Sequence, residues 1–75
     1  MERDYYSQAF QRLKMYRKKS HLTQDQLAQK SGISKTMICN IETGKKNPTL
    51  KTITELCQVI GISPKELFED EKDIN

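Results

Sequence analysis

Apolar residues recur at three- and four-residue spacing along most of this 75-residue chain. That spacing marks amphipathic helices, and no stretch sustains the two-residue alternation of a half-buried strand. Phe10, Leu13 and Tyr16 form one stripe, flanked by Arg12, Lys14, Arg17, Lys18 and Lys19, and predict a first helix over residues 5–19. Thr23-Gln24-Asp25-Gln26 reads as a capping box, in which the Thr hydroxyl takes the amide three residues on and the Gln side chain reaches back. It opens a second helix, with Leu27 and Ala28 facing inward, that stops after two turns at Ser31-Gly32. Ser34 caps a third helix running to about Thr43 and ended by Gly44. Thr49, just after Pro48, caps a fourth, whose stripe is Leu50, Ile53, Leu56, Cys57 and Ile60 and whose end is Gly61. In Ser63-Pro64-Lys65-Glu66 the Ser takes the N-cap, the Pro the first helical position and the Glu the third. This starts a fifth helix docked by Leu67 and Phe68. The expected architecture is all-α, a compact bundle of five helices over residues 1–68, followed by an acidic, flexible tail over 69–75.

Size limits what such a bundle can be. About 35% of the residues are hydrophobic, enough for one small core. A chain this short buries only about 60–65% of its unfolded surface. Large catalytic scaffolds and long repeat arrays are excluded. No apolar run is long enough to span a membrane, and the N-terminal residues lack the apolar stretch of a signal peptide. Cys39 and Cys57 lie 18 positions apart, and with the single His21 they make no metal-ligand spacing. They read as reduced thiols of a cytoplasmic protein. One His, no nucleophile motif and no phosphate-binding Gly loop leave no catalytic residue to assign, so no enzyme, metal or cofactor is expected.

Charge changes the picture more than size does. The net charge is only +3, but it is unevenly placed. Residues 1–50 hold ten basic and four acidic groups, and residues 51–75 hold three basic and six acidic groups. A +6 body with a −3 end suits an anionic partner, with nucleic acid first and an anionic membrane surface as the rival. A merely solvated surface would carry the same numbers.

The third helix favours nucleic acid. With Lys35 set at 0° and about 100° per residue, Ile38 and Ile41 fall near 300° and 240° and define the buried side. The arc from 0° to about 140° carries Lys35, Cys39, Thr43, Thr36 and Asn40, without an acidic residue. A face entering a DNA groove cannot hold many carboxylates, because phosphates line both edges. Nine residues span about 13 Å, against a major groove about 12 Å wide. Asn40 has the chemistry to pair bidentately with adenine, and Lys35 can donate to guanine. Thr36 can offer its methyl to thymine and its hydroxyl to a base or phosphate. Met37, near 200°, sits at the border of core and groove and reads first as core filler, and Cys39 reads as a small surface residue. The tight Ser31-Gly32-Ile33-Ser34 connection, with small Ala28 before it, gives the second and third helices the form of a helix-turn-helix.

These residues resemble the lambda Cro and repressor type of helix-turn-helix domain, the xenobiotic-response-element (XRE) family. The likeness runs over residues 13–68: Arg17, then Leu22-Thr23-Gln24-Asp25-Gln26-Leu27-Ala28, the turn Gly32, Asn40-Ile41-Glu42-Thr43-Gly44, and Asn47-Pro48-Thr49-Leu50. The resemblance implies a lambda-repressor-like fold with the second and third helices as the DNA-reading pair. It implies base contacts for Lys35, Thr36 and Asn40, and phosphate contacts for Gln24, Thr43, Lys45, Lys46 and Asn47. It implies a structural ion pair between Arg17 and Glu42. His21 stands where the family often has Gly, so a less tightly bent connection is expected between the first two helices. The implied function is a sequence-specific regulator, a repressor or autoregulator, that binds a palindromic double-stranded operator as a homodimer. The fourth and fifth helices and the C-terminal segment are the expected dimer surface, with Ile62, Leu67, Phe68 and Ile74 as candidate contacts, the first three equally readable as core. A protein-interaction module of antitoxin or coactivator type is the alternative, and no small-molecule ligand is evident.

Overall fold

A computed structural model describes the backbone of residues 5–68 and the side chains of residues 7–68. The tail expected over 69–75, and with it Ile74, lies outside the described residues. Five helices follow in order: α1 (Tyr5–Lys19), α2 (Gln24–Ser31), α3 (Lys35–Glu42), α4 (Leu50–Ile60) and α5 (Pro64–Phe68). Among the described residues there is no strand, and no helix is long and apolar enough to cross a membrane.

Capping chemistry sets most boundaries. The Thr23 hydroxyl accepts the Gln26 amide at 3.0 Å and the Gln26 side chain accepts the Thr23 amide at 2.9 Å, so both halves of the box are made. Ser34 accepts from Met37 and Thr49 from Thr52, each at 3.1 Å. At α5 the Glu66 carboxylate accepts the Ser63 amide at 3.0 Å. Each bond satisfies an amide that the first helical turn would otherwise leave without a partner. Thr43 is the C-cap of α3, which is therefore one residue shorter than its sequence pattern suggested.

The turn between α1 and α2 is tighter than expected. His21 adopts the left-handed conformation, φ 61°, that the family's glycine would provide. Its amide reaches the Lys18 carbonyl at 3.0 Å, and the Leu22 amide reaches the Arg17 carbonyl at 3.2 Å. Those are the two bonds of a Schellman motif. Satisfying the last carbonyls of α1 outweighs the strain of a side chain in this region, so the bend survives the loss of glycine.

The core gathers Phe10, Leu13, Leu27, Ile38, Ile41, Ile53, Leu56, Cys57, Ile60 and Leu67. α1 lies across α3, α4 and α5, while α2 packs on α3 and α4. Phe10 meets Phe68 edge-on, with ring centroids 5.7 Å apart. Polar side chains of α1 and its turn also hold the C-terminal ends of the last two helices. Arg12 donates to the Leu67 carbonyl, Tyr16 to that of Glu66 at 3.5 Å and Ser20 to that of Ile60 at 3.0 Å.

One residue of the expected core is misplaced. Leu50 is 76% exposed. It is the first residue of α4, and its side chain leans toward the N-terminal end of the helix, beyond the stretch that neighbouring helices cover. The buried stripe of α4 starts at Ile53. Leu67, one of the candidate dimer contacts, is fully buried, while Ile62 and Phe68 are half-buried against the core. Both cysteines are free thiols, Cys39 exposed and Cys57 buried. Burial, with a smaller contribution from the Glu66 carboxylate, pushes the Cys57 thiol up to about 11.

Candidate nucleic-acid interface

α2 and α3 are joined by a turn that only a few residue types allow. Gly32 closes α2 at φ 79°, and its amide donates to the Ala28 carbonyl at 2.9 Å. Open space surrounds the position where a Cβ would stand, so the backbone angle rather than crowding requires glycine. The Ser31 hydroxyl accepts the Ile33 amide at 3.1 Å, and Ser34 then starts α3. Ile38 and Ile41, fully buried, fix the rotation of α3 about its own axis.

A buried polar junction fixes α3 against α1. The Arg17 guanidinium donates through Nε to Glu42 Oε2 at 2.7 Å and through Nη2 to Oε1 at 3.0 Å. Its Nη1 donates to the Leu22 carbonyl at 2.8 Å. The two side chains are 7% and 1% exposed. The bidentate geometry gives both distance and angle, which a single contact would not. Gln24 joins the junction, its side-chain amide donating to Glu42 Oε1 at 3.0 Å. Gln24 is half-buried. An amide nitrogen has two hydrogens, so this contact leaves one for another acceptor.

With α3 so fixed, Lys35, Thr36, Cys39 and Thr43 are exposed, and Asn40 is half-buried on the same side. The helix has eight residues, about 12 Å long. Met37 is half-buried and packs against the core, the border position its wheel angle gave. The loop after α3 folds back on the helix end. The Asn40 carbonyl accepts the amides of Lys45 at 2.8 Å and Lys46 at 3.1 Å. Lys45, Lys46 and Asn47 are all exposed beside the end of this outward side of α3. Gly44 makes this return possible. It has φ 81°, and a Cβ there would come within 2.6 Å of the Gln11 side chain and 3.2 Å of the Ser7 hydroxyl of α1. The Thr43 hydroxyl donates back to the Cys39 carbonyl at 2.9 Å, so a phosphate contact through its proton needs that rotor to turn.

This arrangement carries an identity. A helix-turn-helix family model matches residues 13–67. The chain belongs to the XRE-type helix-turn-helix family of transcriptional regulators. It is 39% identical over 62 residues to an uncharacterized helix-turn-helix transcriptional regulator of Methanocaldococcus jannaschii, covering 83% of this chain and 94% of that one. It is 36% identical over 61 residues to the immunity repressor protein of Bacillus phage phi105, covering 81% of this chain but 42% of the repressor. Among solved structures, it superposes on the restriction-modification controller protein C.AhdI from Aeromonas hydrophila with a TM-score of 0.77. That match has 32% identity and covers 83% of this chain and 96% of the other.

Two contacts of this XRE-type domain escape a sequence reading. One is the Gln24 bond to Glu42. The other is an ion pair between Lys35 Nζ and Asp25 Oδ1, at 3.3 Å. The wheel of α3 carries no carboxylate on its outer arc, but α2 supplies one beside it.

Proposed function

We propose that this chain is a sequence-specific double-stranded DNA-binding regulator that places α3 in the major groove. The observation that carries this reading is the presentation of α3. Its Ile38, Ile41 and Glu42 are buried and fixed, while Lys35, Thr36 and Asn40 stand on one outward side. In this reading Asn40 pairs with adenine, Lys35 donates to guanine and Thr36 meets a thymine methyl. Lys45, Lys46 and Asn47 grip the backbone beside the end of α3, and Gln24 adds its second amide hydrogen at the start of α2. The relatives named as a phage immunity repressor and a restriction-modification controller support a repressor or autoregulator.

One helix this short reads few bases. A twofold homodimer doubles them over half-sites about 34–36 Å apart, on a palindromic operator. Half-buried Val59, Ile62 and Phe68 of α4, α5 and their connection supply apolar surface for such a contact.

Selection of bound duplexes from random DNA tests the reading directly. The expected product is a palindrome with half-sites about one turn apart. For each tenfold rise in salt, affinity for it falls by about 0.9 logarithmic units per neutralised phosphate, a slope of several units in all. Asn40→Ala is expected to lose about 1–3 kcal/mol on the selected site and little on random DNA. Recovery of no sequence, or a flat salt dependence, refutes DNA reading. A monomer in sedimentation, both free and on the selected duplex, refutes the homodimer.

A further inference from the structure

We infer that Asp25 is a selectivity residue, holding the ammonium of Lys35 so that this cation serves base reading rather than general attraction to phosphate. The inference rests on the DNA-binding reading above and goes beyond it, because Asp25 touches no base in that reading.

The two groups are placed by rigid chain. Asp25 lies inside the capping box closed by Thr23 and Gln26, and Lys35 is the first residue after the Ser34 cap. Their separation is 3.3 Å, with the side chains 75% and 57% exposed. A pair this exposed is weak and screened by salt, so it holds Lys35 without removing it from use. On a random duplex the ammonium has phosphates to choose from, and Asp25 competes with each of them. At the correct base, guanine O6 and N7 are neutral acceptors that a three-donor ammonium can meet while Asp25 still holds it, whereas a phosphate brings a second negative charge to the same ammonium. The pair thus lowers affinity where sequence is wrong more than where it is right, which is discrimination by an unfavourable element.

The test measures the full chain on its selected duplex and on a random duplex across a salt series. Asp25→Asn is expected to bind random DNA about 3–10-fold more tightly at low salt. Its salt slope steepens by up to about one unit per subunit, as Lys35 joins the phosphate contacts. The ratio of specific to random affinity falls by a similar factor. Asp25→Glu, which keeps the charge, restores most of the ratio. In a Lys35→Met background, the Asp25→Asn change alters random binding by less than about twofold. An unchanged ratio in Asp25→Asn overturns the inference while leaving DNA reading intact. So does an equal gain in both backgrounds, which makes the effect one of net charge alone. Wild-type protein that binds neither duplex overturns both.

Discussion

Removing the Glu42 carboxylate tests what holds α3 in place. In Glu42→Ala, Arg17 keeps its bond to the Leu22 carbonyl and loses both bonds to the carboxylate. Its side chain, 7% exposed, becomes a buried charge without a counter-ion. Breaking a buried pair from one side costs about 3–5 kcal/mol. A domain of 75 residues has about 4–11 kcal/mol in total, so the loss takes a large share of it. At about 4–8 °C per kcal/mol, the melting temperature falls by about 12–40 °C. Thermal and urea unfolding followed by circular dichroism measure this. Arg17→Met with Glu42→Leu is the control, because it removes both charges and fills the space with apolar groups. That variant is expected to lie closer to wild type than Glu42→Ala, the Leu22 carbonyl and Gln24 amide being near enough to the surface for water to replace their partners. A shift of under about 4 °C in Glu42→Ala refutes the reasoning, since it equates the junction with a surface ion pair. A double variant less stable than the single one refutes it too, since the penalty then is not an unpaired charge.

Two further predictions concern strain and thiols. His21→Gly relieves a left-handed side-chain strain of about 1–2 kcal/mol and gives back part of it through the freedom of glycine in the unfolded chain. A net gain of about 0.5–1 kcal/mol in urea unfolding is expected, and a loss shows that the imidazole itself stabilises the turn. A maleimide added to native protein labels Cys39 quickly and Cys57 only on unfolding; equal rates contradict the burial of Cys57. The Cys57 thiol is raised from 9.0 to about 11. The folded state therefore keeps its proton where the unfolded state loses it. That stability is fully present below about pH 9 and fades as pH rises through 11. The stability advantage of wild type over Cys57→Ala is expected to shrink across that window, and a constant difference refutes the linkage.

What the sequence revealed follows from how far each signal reaches along the chain. Caps act over three residues, so Thr23, Ser34, Thr49 and Ser63 marked their helices correctly. Periodicity acts over two turns, so Ile38, Ile41, Ile53, Leu56 and Cys57 pointed to the core. Periodicity fails at a helix end, where a residue keeps its phase but not its neighbours, and Leu50 is misread for that reason. Backbone conformation is legible only through residue type, so the left-handed His21 was hidden by a side chain that seldom adopts it. Arg17 and Glu42 lie 25 positions apart, and only resemblance to the XRE family joined them before the structure showed their bonds.

The contacts that no signal carried are Gln24 with Glu42 and Asp25 with Lys35. Both run between helices, and their existence depends on the angle at which α2 crosses α3. Neither residue type nor spacing encodes that angle; Gly32, the buried isoleucines and the Arg17–Glu42 junction set it together. A wheel of α3 alone shows a face without carboxylates and implies a uniformly attractive surface. The crossing brings Asp25 to Lys35, at one end of that face, while Lys45 and Lys46 stand at the other. In the proposed reading, the lysine that meets a base is thus the one held by a carboxylate, and the lysines that grip the backbone lie at the far end of the helix. In that reading, a surface divided in this way gains selectivity from the position of the Asp25 charge as well as from its positive ones.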